Sequence, residues 1–140
     1  MFYASVVIVT NKSGNILLLK RSEAVDTYSG YWNFPGGRPD EGEEPEECAA
    51  RECFEESSIK IDPKDLYFLD VINHQDKGFI YFYIYENCDQ SVTIDWESSD
   101  YKWVSPNELF NLNIIPMPKE FLEMIAIHVG NNLNKNENKN

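Results

Sequence analysis

The sequence predicts an α/β fold in which helices cover both faces of a mixed β-sheet. Three observations lead to this class: strand-like segments recur along the chain, two segments have the spacing of amphipathic helices, and 140 residues suit one domain. We expect this domain over residues 1–130. Residues 131–140 are polar and low in complexity, so we expect a disordered tail there.

The predicted strands are short segments rich in aromatic and β-branched residues. They cover residues 2–10, 16–20, 66–73 and 79–85. A polar turn at residues 11–14 joins the first two strands, so we expect a hairpin. The fourth segment, FIYFYIY, alternates only weakly, which favours an interior strand with both faces covered.

The first predicted helix covers residues 45–57. Pro45 suits a first helical position, because its missing N–H group would have no helical partner there. The helix dipole favours the negative charges that crowd this end. Those glutamates are Glu43, Glu44, Glu46 and Glu47. Small and apolar residues on one side of the helix should pack on the core. They are Ala49, Ala50, Cys53 and Phe54.

The second predicted helix covers residues 119–129, where apolar residues recur at helical spacing. A capping box from Ser105 to Glu108 starts a short helix before it. The second helix should cover one side of the sheet, which leaves the other side to the helix that starts at Pro45.

The composition argues against several classes of partner. The net charge of −12 disfavours a surface for duplex nucleic acid or phospholipid. No apolar run has the length of a membrane span, and no secretory signal is seen. Cys48, Cys53 and Cys88 have no metal-ligand spacing, and their small odd number fits reduced thiols. We therefore expect a cytoplasmic protein that binds neither membrane nor duplex nucleic acid.

The second half of the first helix carries the most informative side chains. Glu52, Glu55 and Glu56 are three or four residues apart and therefore share a helical face. Three carboxylates held together repel one another, and a bound cation would remove that repulsion. Carboxylate oxygens suit hard divalent cations, above all Mg²⁺, so this face is a candidate metal site.

Two alternatives compete with a metal site. A solvated acidic helix is the ordinary meaning of a run of charges, and it is our interpretation for Glu44, Glu46 and Glu47. It is weaker for the later glutamates, because Arg51 and an upstream glycine loop accompany them. A calcium loop of the EF-hand type is excluded, because the sequence has no D-x-[DN]-x-[DN]-G segment.

This region resembles the sequence box of the Nudix family: glycine, five residues, Glu, seven residues, Arg-Glu, an apolar residue, any residue, Glu-Glu, any residue, glycine and an apolar residue. The matching positions are Gly37, Glu43, Arg51, Glu52, Glu55, Glu56 and Ile59. Cys53 replaces an aliphatic residue, which is a mild change because free cysteine packs as a small hydrophobe. Ser58 replaces the second glycine, so a left-handed helix end would fall on a serine at some cost.

The resemblance implies the Nudix fold and a Mg²⁺-dependent hydrolysis of a phosphoanhydride, with Mn²⁺ as a possible replacement. By position, the metal ligands would be the side chains of Glu52, Glu55 and Glu56 and the carbonyl of Gly37. Arg51 would hold the glutamates in place through ion pairs, and Glu43 would support them from the loop.

The resemblance also implies an acid from the segment before Trp103. In several family members a glutamate six positions before this aromatic residue completes the metal site or acts as base, and Glu97 occupies that place. Asp100 is its rival, and a solvated loop acid is the alternative for both. The general base would be Glu55, Glu56 or Glu97, and the sequence leaves this choice open.

Four positions are candidates for contacts with substrate phosphate. Gly36 and Gly37 follow Pro35 and allow backbone to come close to a ligand. Arg21 lies at a strand end, where family members often carry a basic residue that faces phosphate, although a solvated arginine is an equal alternative. Arg38 could bind phosphate or pair with nearby acids.

Aromatic residues supply the remaining candidates for substrate contact. Tyr28 and Tyr31 could stack on a base. Core packing is our interpretation for Trp32, Tyr81 and Tyr83.

The compact box resembles most the nucleoside triphosphate pyrophosphohydrolases of MutT type, which act on nucleotide-type small molecules. Several alternatives stay open. The substrate could instead be ADP-ribose, a dinucleoside polyphosphate, a nucleotide sugar or 5′-triphosphate RNA. The domain could also be a non-catalytic nucleotide-sensing module. A homodimer is possible, since many relatives dimerise.

Overall fold

A computed structural model describes the backbone of residues 1–138 and the side chains of residues 1–130. Within that range it contains seven strands, two α-helices and two 3₁₀ segments. The strands are β1 (Phe2–Asn11), β2 (Ile16–Arg21), β3 (Trp32–Asn33), β4 (Gly36–Gly37), β5 (Tyr67–His74), β6 (Gly78–Cys88) and β7 (Ser98–Val104). The helices are α1 (Pro45–Ser57) and α2 (Lys119–Asn138), and the 3₁₀ segments are Pro63–Asp65 and Pro106–Asn111.

The strands form one mixed sheet in the order β3-β2-β1-β6-β5, with β4 also paired to β1 and β7 to β2. Strands β1 and β6 are parallel, and the other pairs are antiparallel. The α/β class is therefore confirmed. Strand β6 lies between β1 and β5, which confirms the interior position predicted for residues 79–85.

The predicted hairpin of β1 and β2 is correct only next to its turn. Thr10 and Ile16 are paired across it. Further along β1, strand β4 takes the neighbouring place, with Gly36 opposite Val6 and Gly37 opposite Ser5. Strand β2 pairs along its length with β7 instead. The two strands separate because the glycine segment is inserted beside the first half of β1.

Two apolar clusters cover the two faces of the sheet. On the α2 side, the sheet residues Ile8, Leu18 and Phe82 pack with Phe121, Ile125 and Val129 of the helix. On the α1 side, the sheet residues Val7, Leu17 and Tyr83 pack with Ala49 and Cys53 of the helix. Adjacent residues of β1 and β2 thus belong to opposite clusters, as the alternation of side chains along a strand requires.

Helix α1 begins and ends where the sequence predicts. Glu44 is the N-cap, and Glu44 and Glu47 form a capping box across the first turn, which contains Pro45. At the other end, Ser58 has φ 64° and ψ 12°, which is the left-handed conformation expected of the replaced glycine. The Ser58 hydroxyl donates to the Thr93 carbonyl at 3.1 Å, so this loop helps to hold the serine in place.

The prediction that Phe54 packs on the core is wrong, since its side chain is 45% exposed. Glu56 is buried instead, at 4% exposure. One residue advances about 100° around a helix, so Phe54 falls beside the face centred on Ala49 and Cys53, whereas Glu56 falls within it. The acid is placed toward the sheet, and this placement builds the site described below.

Helix α2 continues to Asn138. The disordered tail expected over residues 131–140 stays a prediction. No proline interrupts this segment, which is why a helix can extend through it. Residues 139–140 lie outside the described residues. Among the residues that the structure describes, no helix has the length and apolar character of a membrane span.

Candidate functional site

Arg51 is the centre of a network of carboxylates on α1 and the preceding loop. Its Nε and Nη2 donate to the two carboxylate oxygens of Glu43 at 2.8 and 2.9 Å. Its Nη1 donates to Glu52 at 3.0 Å and to both oxygens of Glu55 at 3.2 Å. The hydrogen bond to Glu43 raises the pKa of Arg51 and lowers the pKa of Glu43. Arg51 therefore stays charged and fixes three acids at once.

The loop before α1 delivers Glu43 to this network. Gly42 has φ 77°, a conformation that favours glycine, and the turn closes with a hydrogen bond from the Glu43 amide to the Asp40 carbonyl at 3.1 Å. The Asp40 amide donates in return to the Glu43 carboxylate at 3.0 Å. Glu43 thus supports the network from the loop, as the family resemblance implies.

The two glycines of β4 allow a close approach between α1 and the sheet. A Cβ atom on Gly37 would lie 2.6 Å from the carboxyl carbon of Glu52. A Cβ atom on Gly36 would meet the Ser5 carbonyl oxygen and lie 2.8 Å from Val6 Cα. A larger residue at position 37 would displace the Glu52 carboxylate, and a larger residue at position 36 would collide with the backbone of β1.

Glu56 is a buried acid that points at this glycine segment. Its Oε1 accepts a hydrogen bond from the Gly36 amide at 2.9 Å. Burial raises the pKa of Glu56 well above its ordinary value, and the nearby carboxylates of Glu97, Glu52 and Asp95 raise it further, while the Gly36 amide opposes the shift. The carboxylate is therefore short of compensating positive charge.

Glu97 reaches the same group of acids from the loop before β7. The Ser22 amide donates to the Glu97 carbonyl at 2.8 Å, which anchors this loop beside the end of β2. Burial raises the pKa of Glu97, as do the charges of Asp95 and Glu55. The structure thus brings Glu97 to the glutamates of α1 from 41 or more residues away in sequence.

Asp95 and Asp100 lie differently with respect to this group. Asp95 accepts from the Glu97 amide at 3.1 Å, and its charge raises the pKa of both Glu97 and Glu56. Sequence reasoning did not select Asp95 as a site residue, although its place two positions before Glu97 was a usable signal. Asp100 is exposed on β7, and its Oδ1 accepts from the Tyr101 amide at 2.8 Å.

Glu52 is half-buried in the middle of the acid group. Burial raises its pKa, the Arg51 hydrogen bond lowers it, and the charges of Glu55 and Glu97 raise it. Glu52, Glu55, Glu56 and Glu97 are therefore close enough to interact electrostatically, as the sequence led us to expect.

The two candidate arginines lie in different places. Arg21 donates through Nε to the Thr27 carbonyl at 2.8 Å, and its charge lowers the pKa of Glu97. It therefore lies beside the acid group. Arg38 donates through Nε to the Tyr3 carbonyl at 2.8 Å, and its guanidinium lies over the Tyr3 ring. Only its carbonyl joins the acid network, as an acceptor from Arg51 at 3.0 Å.

The acid group fits a hard divalent cation in the kind of donor it offers, though not in its present arrangement. Among the described residues, no three acids, histidines or cysteines are placed to hold a metal ion. The oxygens of Glu52 and Glu55 face Arg51, and Glu56 faces Gly36. Several carboxylates with raised pKa values nevertheless form the oxygen-rich, electron-rich set that Mg²⁺ prefers. The metal ligands therefore stay a prediction.

An apolar cavity of about 140 Å³ lies next to the glycine segment. Val6, Phe34, Ile80 and Phe82 contribute to its wall from the sheet side, and the segment 115–118 closes it. Val6 is opposite Gly36 in the sheet, so the cavity adjoins the glycine segment, and none of the acids described above lines it. His74 is the single ionisable side chain among the residues that line it.

The aromatic candidates divide as expected between surface and core. Tyr28 and Tyr31 are exposed and lie against each other, with ring centroids 5.5 Å apart. Tyr83 is buried, and Trp32 and Tyr81 pack against the apolar clusters.

The chain is similar to known proteins over most of its length. The family model described as "NUDIX domain" matches residues 2–125. A Bacillus subtilis (strain 168) protein named "Putative 8-oxo-dGTP diphosphatase" is 36% identical over 113 residues, which cover 74% of this chain and 66% of the relative. "Nucleoside triphosphatase NudI" of Salmonella agona (strain SL483) is 29% identical over 115 residues, which cover 72% of this chain and 82% of the relative.

The chain spans 66% of the length of the Bacillus relative and 34% of the length of a Caenorhabditis elegans relative. Among solved structures, the NUDIX domain of Shewanella oneidensis NrtR complexed with ADP ribose has a TM-score of 0.75 at 18% identity. That similarity covers 92% of this chain and 88% of the other, and it shows the shared fold. The family match spans most of the chain, and the acids on and before α1 occupy the positions of the family's sequence box. This chain therefore belongs to the Nudix hydrolase family.

Proposed function

We propose that this protein is a Mg²⁺-dependent nucleoside triphosphate pyrophosphohydrolase of MutT type. The observation that carries the proposal is Glu56, a buried acid with uncompensated charge that is held at a glycine segment beside an apolar cavity. A buried carboxylate among other carboxylates is costly unless a cation joins it. The name of the Bacillus relative adds support for a nucleoside triphosphate as substrate.

In this proposal the residues of the chain hold and orient the reacting groups. Arg51 fixes Glu52 and Glu55 on one side of α1, and the Gly36 amide fixes Glu56. Glu52, Glu55 and Glu56 would hold a divalent cation, which would supply positive charge to the phosphate oxygens and lower the pKa of a bound water. One of Glu55, Glu56 and Glu97 accepts the proton of the attacking water.

The substrate lies across the glycine segment. The apolar cavity takes the nucleoside, because its wall is built from aliphatic and aromatic side chains. The phosphates extend past Gly36 and Gly37 toward the acid group. Arg21, which already interacts with Glu97, contributes a positive charge to the phosphates from the end of β2.

A substrate panel with matched variants tests the proposal. The protein is incubated with Mg²⁺ and dNTPs, 8-oxo-dGTP, ADP-ribose, dinucleoside polyphosphates, nucleotide sugars or 5′-triphosphate RNA, and the products are identified. We expect a nucleoside triphosphate to give the monophosphate and pyrophosphate. Glu56→Gln should lower kcat by about 100-fold or more, the scale of a lost acid–base group.

Glu41→Gln is the matched control, because Glu41 is an exposed loop acid and its substitution changes the net charge by the same amount. It should keep the wild-type rate. Turnover in EDTA, or equal rates for Glu56→Gln and Glu41→Gln, would contradict the mechanism. If only another compound of the panel is cleaved, that compound and not a nucleoside triphosphate is the substrate.

A second candidate function is nucleotide sensing without hydrolysis. The acid oxygens do not converge on one point in the described residues, and a domain of similar fold was solved with ADP ribose bound. This candidate predicts saturable binding of a nucleotide or ADP-ribose with no product in Mg²⁺ or Mn²⁺. Calorimetry with product analysis on the same samples separates the two functions.

We also propose a cytoplasmic location, which the three free and buried cysteines support. Fractionation of cells with an antibody to the protein tests it. A homodimer stays an expectation, and light scattering on the purified protein decides it.

A further inference from the structure

Three groups that carry or can carry positive charge surround one tyrosine ring at the rim of the apolar cavity. The Arg38 guanidinium carbon lies 4.1 Å from the centroid of the Tyr3 ring, and Lys77 Nζ lies 5.6 Å from it. The His74 ring is 5.9 Å from the Tyr3 ring, and His74 also lines the cavity. We call Tyr3, Arg38, His74 and Lys77 the Tyr3 cluster.

The backbone holds this cluster in place. Arg38 Nε donates to the Tyr3 carbonyl, which fixes the guanidinium beside the ring. The Phe79 amide donates to the Met1 carbonyl at 2.6 Å, and a Cβ atom on Gly78 would collide with that carbonyl oxygen. The turn that carries His74 and Lys77 is therefore packed closely against the start of β1.

The cations of the cluster are not held in ion pairs with any described residue, although Asp76 lies in the same turn as His74 and Lys77. The chain has 24 Asp and Glu residues against 12 Lys and Arg residues, so most cations should find an acid nearby. Among the ion pairs formed by the described residues, none includes Arg38, His74 or Lys77. An aromatic ring attracts cations without neutralising them. The cluster is thus a positive site on an acidic protein, and such a site attracts anions.

Tyr3 lies away from the glycine segment along β1, although Arg38 directly follows Gly37. Val6 is opposite Gly36 in the sheet, and Tyr3 lies three residues earlier on β1. Three strand residues span roughly 10 Å. A phosphate beside Gly36 and a phosphate beside the Tyr3 ring would therefore be two separate groups. The cavity reaches toward both positions, because Val6, opposite Gly36, and His74 of the cluster both line it.

We propose that the Tyr3 cluster is a subsite for a second phosphoryl group of the substrate, outside the anhydride that is hydrolysed. The proposal rests on the proposed nucleotide hydrolysis. With a nucleoside in the cavity and its reacting phosphates beside Gly36, the cluster takes a phosphate carried elsewhere on the molecule. That group is a 3′-phosphate, the linkage to a next nucleotide, or the far end of a dinucleoside polyphosphate.

Binding in EDTA isolates this subsite, because hydrolysis then stops and the glutamates repel phosphate. Calorimetry compares ligands that differ by the extra phosphorylated group. The pairs are GMP with guanosine 3′,5′-bisphosphate, GTP with diguanosine tetraphosphate, and GTP with a 5′-triphosphate trinucleotide. In at least one pair the second ligand should bind the wild-type protein about tenfold more tightly, the scale of a phosphate contact made by paired cations. The pair with the largest difference identifies the source of the group.

Two exposed lysines supply the variants. Lys77→Glu should remove the difference within the pair, and Lys77→Arg should keep it, because the charge is retained. Lys12→Glu is the matched control, since Lys12 lies in the turn between β1 and β2 and makes the same change of net charge. It should leave the difference intact.

Two results would overturn the subsite: wild-type affinities that are equal within every pair, or a Lys77→Glu variant that behaves as Lys12→Glu does. If Lys77→Glu weakens the binding of both ligands in each pair by the same factor, the subsite is also overturned, because such a loss reflects only the change in overall charge. The affinity difference within a pair could depend on Lys77 while no ligand is hydrolysed in Mg²⁺. That result would contradict the proposed function and would still support the subsite.

Discussion

The two halves of helix α1 both carry glutamates, but the fold uses them in opposite ways. In the first half, Glu47 closes the capping box and Glu46 accepts a hydrogen bond from the Tyr83 hydroxyl at 3.1 Å. Both are exposed, and they lie where the helix dipole favours negative charge. In the second half, Glu52 is half-buried and Glu56 is buried, and both have raised pKa values.

The difference teaches that position on the helix decides what an acid contributes. The last turn of α1 contains no basic residue, so its glutamates oppose the helix dipole. Arg51 offsets part of this charge, but it reaches Glu52 and Glu55 and not Glu56. The first half therefore stabilises the helix, whereas the second half keeps an excess of negative charge for a cation. Five predictions test this contrast.

Replacing Arg51 should have the largest effect. Arg51→Met leaves Glu43, Glu52 and Glu55 without their shared cation, and removing one partner of a largely buried ion pair costs about 3 kcal/mol of unfolding free energy. Urea denaturation measures it. Arg38→Met is the matched control for stability and should cost less than about 1 kcal/mol, the value of an exposed cation–aromatic contact. Equal losses in the two variants would contradict the central role of Arg51.

Magnesium should stabilise the wild-type protein through the second half of the helix. At 100 times its dissociation constant, a ligand that binds only the folded state adds about 2.7 kcal/mol. We expect a rise in Tm of the wild-type protein with Mg²⁺ and a smaller rise for Glu56→Gln. Glu47→Gln should respond as the wild-type protein does. An unchanged Tm of the wild-type protein in Mg²⁺ would contradict the proposal that the glutamates of the second half bind a cation.

The pH dependence in metal-free buffer has a definite sign. Because the folded state raises the pKa of Glu56 above its ordinary value of 4.5, the stability associated with its neutral form is complete below that pH. It is lost as the pH rises through the folded-state pKa. The free energy of unfolding should therefore fall above pH 4.5, and less steeply in Glu56→Gln. Glu52 and Glu97 contribute with the same sign and preserve part of the slope.

Gly37→Ala tests whether the second half of helix α1 needs close contact with β4. The new Cβ would lie 2.6 Å from the Glu52 carboxyl carbon, so the helix or the side chain must move. Because the carboxylate is the end of a flexible side chain, Glu52 should turn away and lose its hydrogen bond from Arg51, a loss of about 1 kcal/mol. Gly130→Ala is the control, because Gly130 lies in α2 with open space around it and should gain about 0.5–1 kcal/mol. An unchanged stability of Gly37→Ala would show that the approach is loose.

The smallest change in stability should come from a substitution in the first half of helix α1. Glu47→Gln keeps a hydrogen-bonding side chain at the third helical position, so the capping box can persist and only the charge at the dipole is lost. Thermal denaturation should show a loss of about 0.5 kcal/mol. A loss as large as that of Arg51→Met would mean that the two halves do not differ in the way described.

Local patterns were sufficient for much of the fold. The bounds of α1 follow from Pro45 at its start and from the place of Ser58 after its end, which are both local features. The interior position of β6 follows from its apolar composition. The pairing of β2 with β7 could not be predicted, because it joins segments about 80 residues apart and depends on the insertion of β4 beside β1.

The candidate site was predictable in its residue types and less so in its geometry. Arg51 and its carboxylate partners lie close together in sequence, so helical spacing and the family resemblance find them. Asp95 was missed, and the side chain of Arg38 lies on Tyr3 instead of beside the acids. Both depend on contacts between distant segments, and spacing along one helix carries no information about such contacts.

The sequence by itself determined the helix that carries the acids, its caps, its period and the excess of negative charge on it. Only the tertiary structure decided which of these acids is buried, since that depends on which side of α1 lies against β4 and the sheet. It also decided that Glu97 joins them and that the cations of the Tyr3 cluster form no ion pair in the described part of the chain. The physical reason is range: helix caps and periodicity act over three or four residues, whereas burial and electrostatic compensation depend on every segment that folds into contact.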